Sequence, residues 1–92
     1  MTQIELTHME PATVDAANAD VFYQLGLLYS AGGEIPVDYV AAHKWFNIAA
    51  IRGNTEAARL RREVADLMSE HEISDAQRAA RDWVKPAALK AA

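Results

Sequence analysis

The sequence predicts an all-α fold of about four helices arranged as hairpins, and three observations lead there. Apolar residues recur at steps of three and four along most of the chain. Glycine, asparagine, serine and proline stand where those periodic stretches stop and restart. The stretch from Tyr23 to Ala58 reads as two apolar helices joined by a glycine-rich turn, with small residues where the helices approach and aromatics to fill the core.

Size and composition set the bounds. The chain has 92 residues, room for one small domain. A chain this short buries a modest fraction of its surface, so association adds much to its stability. With 51% hydrophobic and 24% charged residues, it has the composition of a folded chain rather than a disordered one. It has no cysteine, which removes disulfides, thiolate metal ligands and thiol nucleophiles. The first residues lack the basic flank and apolar run of a secretory signal, and no segment nears the roughly 20 apolar residues of a membrane span. The net charge of −4 disfavours nucleic acid, whose binding rests on neutralising phosphates. A cytoplasmic protein without a membrane or nucleic-acid partner is the expectation.

Residues 1–12 are an N-terminal arm in which Ile4 and Leu6 alternate with polar neighbours before Pro11. The arm either frays as a terminus or lays Ile4, Leu6 and Met9 over an uncovered apolar surface. Residues 13–86 form the helical domain. Its first helix is expected from about Val14 to Ala31, with Val14, Ala17, Val21, Leu25, Leu28 and Tyr29 on one face, and Gly32-Gly33 ends it. At 100° per residue, Ala16, Tyr23 and Leu27 fall nearly opposite Leu25, so this helix is apolar on two sides and expects two neighbours.

Pro36 forbids a continuous helix through the turn. The second helix runs from about Asp38, its cap, to Arg52. Ala42, Trp45 and Ala49 mark its deepest line, and His43, Lys44 and Asn47 a narrow polar stripe. After Gly53, Asn54 caps a third helix to about Met68, with Ala57, Leu60, Val64 and Leu67 inward and Arg59–Glu63 and Arg62–Asp66 spaced as ion pairs. Ser69 and Glu72 form a capping box for a fourth helix, about Glu70 to Val84, which buries Ile73, Ala76, Ala80 and Trp83. Pro86 ends it, and residues 87–92 are expected to be a mobile tail.

Leu25-Gly26, Tyr29, Gly32, Ile35, Asp38, Ala42, Trp45-Phe46, Ala49-Ala50, Gly53-Asn54 and Ala57 together form a spaced pattern. It resembles the Sel-1-like repeat, a helical hairpin related to the tetratricopeptide class, over about residues 21–58. One position departs: Glu34 stands where the family usually has glycine. The resemblance implies a short right-handed superhelical stack that binds proteins through its groove and edges, without catalysis. Asp75, Ala79-Ala80 and Trp83 echo the second half of the pattern. Residues 59–84 are therefore read as a diverged hairpin capping the C-terminal side, which leaves the N-terminal side bare.

Ala16, Tyr23 and Leu27 are accordingly the expected self-association face, covered by the arm or by a second copy in a homodimer. Partner contacts are expected at His43, Asn47, Arg59 and Arg62, although His43 reads first as a solvated residue and the arginines as a salt-bridged outer face. The alternative function is a regulatory domain that takes an apolar ligand between Tyr29, Trp45 and Phe46. His71 and Asp75 share a helical face, but zinc needs a further ligand. No base, nucleophile and stabiliser come together, and no nucleotide or phosphate motif is present, so neither an enzyme nor a cofactor site is expected.

Overall fold

A computed structural model describes the backbone of residues 11–84 and the side chains of residues 18–84. The expected N-terminal arm and C-terminal tail lie outside the described residues, apart from Pro11 and Ala12, which belong to the first helix. That helix, α1, is Pro11–Ala31; α2 is Tyr39–Ile51, α3 Thr55–Ala65 and α4 Glu70–Val84. The fold is all-α, a stack of helices built around one hairpin.

Local chemistry fixes each boundary. Gly32 takes a positive φ of 74° after α1, which a residue with a Cβ rarely adopts. The Asp38 amide then donates to Tyr29 O at 2.9 Å, closing the turn back on the end of α1. Gly33 has no positive φ and open space around it, so Gly32 alone carries the turn that Glu34 had left in question. Asp38 caps α2 by accepting from the Ala41 amide at 3.0 Å. At the other end, Gly53 has φ 109°, its amide donates to Ala50 O, and the Asn54 amide donates to Ala49 O, which is a Schellman closure. Asn54 immediately caps α3 through Ala57 N at 2.8 Å.

The third helix stops earlier than the apolar spacing predicts. Leu67 N bonds Val64 O and Met68 N bonds Ala65 O, so the chain tightens into a three-residue turn beyond Ala65. Ser69 and Glu72 then form the reciprocal capping box, at 2.8 Å and 3.1 Å, and start α4.

Helix α2 is the hub, and α1, α3 and α4 all pack against it. Ala42, Ile48 and Ala49 are fully buried and Phe46 nearly so. Gly26 is where α1 and α2 come closest, since a methyl group there would overlap the Phe46 ring. Helix α4 brings Ala76 and Ala80 inward, both fully buried, and small side chains let it lie close. Helices α3 and α4 make little contact with each other. Each rests on α2, so the last two helices flank the hub instead of closing on one another as a hairpin.

The inward side of α1 departs from the expected one at Val21 and Leu28, while Leu25 and Tyr29 do pack against the core. Ala19, Phe22 and Gly26 are buried, while Val21 is 55% and Leu28 44% exposed. Tyr23 and Leu27, expected to be covered by the arm or by a second copy, pack against the core of the helical domain, with the Tyr23 ring 6.1 Å from Phe46. The reason is steric. The face of a tightly packed helix is set by its smallest residue at the closest approach, and Gly26 puts Ala19, Phe22, Tyr23 and Ser30 on that side.

Candidate functional site

Three surfaces converge on the hub helix. The first is the outer side of α1, where Val21 and Leu28 are two turns apart with exposed Gln24 between them, while Leu25 packs against the core. No charged residue occurs between Asp20 and Glu34, so this solvent-facing side carries no charge of its own along that length. The expected self-association face is therefore corrected: Tyr23 and Leu27 belong to the intrachain core, and the side chain of Ala16 lies outside the described ones.

The second surface is the seam between α2 and α3, where the partner residues were expected. His43 is only 3% exposed, and its Nδ1 is buried without a hydrogen-bond partner. It is thus neither a solvated residue nor a docking contact. Burial first, and the Arg61 guanidinium second, hold its pKa below the usual imidazole value. Asn47 accepts a hydrogen bond from Arg61 Nη1 at 2.7 Å, tying α2 to α3. Arg59 is engaged by Glu56 and Glu63 on the exposed face of α3, and Glu56 is correspondingly shifted down by its hydrogen bond to Arg59. Arg62 is exposed beside them. Of the four predicted contacts, only Asn47 and the arginines reach the surface.

The sequence reading had left Phe22 out, and it joins an aromatic cluster across three helices. Its ring stacks on Trp45 of α2 at 5.7 Å and meets Trp83 of α4 edge-on at 5.0 Å, with Trp45 and Trp83 5.5 Å apart. Lys44 Nζ lies 4.3 Å from the Trp45 ring centre and the Arg52 guanidinium 5.6 Å from that of Phe22. Trp83, expected inside, remains 46% exposed because it closes the cluster from its rim. The echo of Trp45 at Trp83 was the signal in the sequence for this contact.

Concave sites among the described residues include one of about 310 Å³ lined by Ala19, Asp20 and Arg52 to Glu56. A cleft of about 590 Å³ is lined by Tyr29, by Ile35 to Val40, and by Glu72. A smaller groove of about 200 Å³ runs between α1, α2 and α3 over Leu27, Tyr39, Phe46, Leu60, Val64 and Leu67. The three rings expected to wall a ligand pocket are dispersed: Tyr29 lines the cleft, Phe46 the groove, and Trp45 stacks on Phe22. His71 and Asp75 do approach, to 3.4 Å, but His71 is almost wholly exposed and Asp75 is shared with Arg78. Among the described residues no group of three potential metal ligands gathers, and no helix is long and apolar enough to cross a membrane.

These features define a small helical module with exposed apolar residues on α1, an ion-paired outer face on α3 and a cleft lined by two carboxylates. No protein-family model, curated protein or solved structure matches the chain.

Proposed function

We propose that this chain is a non-catalytic, cytoplasmic protein-interaction module of the Sel-1-like kind, which associates with a second copy of itself through the outer side of α1. The observation that carries the reading is the exposed pair Val21 and Leu28, on a stretch of α1 without charged residues and on a helix whose other side is already used by the core. A helix apolar on both sides is the pattern of one with a neighbour on each. The spaced pattern around Gly26, Trp45-Phe46 and Gly53-Asn54 supports the repeat-type reading, because each of these positions has the packing or turn role that such a hairpin needs. Sedimentation equilibrium of the wild type and of Val21→Asp with Leu28→Asp tests it. The expected result is a dimer that becomes a folded monomer on substitution; a wild type that stays monomeric across the micromolar range overturns it.

A second reading, a regulatory domain for an apolar ligand, draws on the groove over Leu27, Phe46, Leu60 and Leu67. An environment-sensitive apolar dye that binds stoichiometrically, and is lost in Leu60→Trp, would favour that reading.

A further inference from the structure

The cleft at the end of the hairpin is built from two kinds of surface. Ile35, Pro36, Val37 and Val40 supply apolar walls, with Tyr29 and Tyr39 beside them, and Asp38 and Glu72 supply two carboxylates. Among the described residues, no lysine, arginine or histidine lines it. Each carboxylate spends one oxygen on a helix start: Asp38 Oδ1 accepts from the Ala41 amide, and Glu72 Oε1 from the Ser69 amide. No cation among the described residues forms an ion pair with either acid, so the second oxygen of each is open to a visitor.

From this geometry we infer that the cleft binds an extended segment of a partner protein in which lysine or arginine alternates with apolar residues. The inference rests on the interaction-module reading and names a partner for a different surface. Charge complementarity decides the class: two carboxylates without a resident cation repel an acidic segment and reward a basic one. Tyrosine rings next to the carboxylates suit a guanidinium or ammonium group, which gains from the ring face as well as from the acid. The apolar walls and a volume of about 590 Å³ exceed what a lone ammonium ion needs and match a few side chains of an extended peptide.

The two acids can be neutralised without removing the caps. Asparagine caps a helix as well as aspartate does, and glutamine completes a capping box as glutamate does. Asp38→Asn with Glu72→Gln therefore leaves α2 and α4 intact while discharging the cleft. The probe is a fluorescein-labelled degenerate hexapeptide library that alternates Lys or Arg with Leu, Val or Pro. Matched libraries carry Gln or Glu at the charged positions.

The basic library is expected to bind the full chain, to shift the amide signals of residues 35, 37–40 and 72, and to bind about tenfold more weakly to the double variant. Circular dichroism of that variant is expected to match the wild type. Equal binding of the three libraries, shifts confined to other residues, or no binding at all overturns the inference. Basic-library binding that appears only after deletion of residues 85–92 assigns the cleft to the chain's own basic stretch and also overturns it. Sedimentation of the same samples reads the self-association independently, so the two readings fail separately.

Discussion

The hairpin of α1 and α2 and the pair α3 and α4 are held by different physics. In the hairpin, Gly26 brings the backbones together over Phe46, and aromatic rings and fully buried Ala42, Ile48 and Ala49 fill the contact. In the second pair, alanines and caps do most of the anchoring: Ala57, Ala76 and Ala80 are fully buried, Asn54 and Ser69 start the helices, and charges cover the outside. The hairpin is specified by shape, where one extra methyl group is felt. The flanking helices are specified by their ends and by thin apolar stripes, so they are the parts expected to open first.

The largest break in that contrast is expected from Phe46→Ala. It removes the ring under Gly26 and should destabilise the domain by ~3–5 kcal/mol, measured by urea unfolding. Gly26→Ala attacks the same contact from the other helix and should cost about 1–3 kcal/mol through overpacking. If Gly26→Ala proves neutral, the close approach is not what selects the inward face of α1.

Trp83→Ala tests whether α4 is an independent flank. The ring is half exposed, so a loss of about 1–2 kcal/mol is expected, with hydrogen exchange rising in α4 while α1 and α2 stay protected. Uniform loss of protection would merge the two regions into one cooperative unit. Ser69→Ala should remove roughly 1 kcal/mol by leaving the Glu72 amide without its acceptor.

At neutral pH the smallest contrast lies in His43, and it becomes visible only on acidification. Its folded pKa lies below the ordinary imidazole value of about 6.5, so the folded chain binds fewer protons than the unfolded one below that pH. The stability it contributes is complete above about 6.5 and is lost as the pH falls from there towards the folded value. His43→Gln should flatten that part of the stability curve, as followed by thermal melts between pH 7 and pH 5. A His43 ring signal that titrates in the ordinary imidazole range would place the imidazole in water.

Much of this architecture was legible in advance because it rests on local chemistry. Asp38, Asn54 and Ser69 act as caps wherever they precede an amphipathic run, and Gly32 and Gly53 end helices because they accept a left-handed backbone. The candidate sites were less legible. His43 sits on the polar stripe of an isolated α2, yet the arrival of α3 with Arg61 covers it. The cleft was not anticipated because it draws on α1, the turn and α4 at once.

What the sequence determined by itself was which residues cap and break the helices, and that α1 has two apolar sides. Only the tertiary structure decided which side faces inward, because periodicity ranks faces by hydrophobicity while packing ranks them by how closely two backbones can approach. Gly26 settles that question in favour of Phe22 and Tyr23, and it leaves Val21 and Leu28 outside.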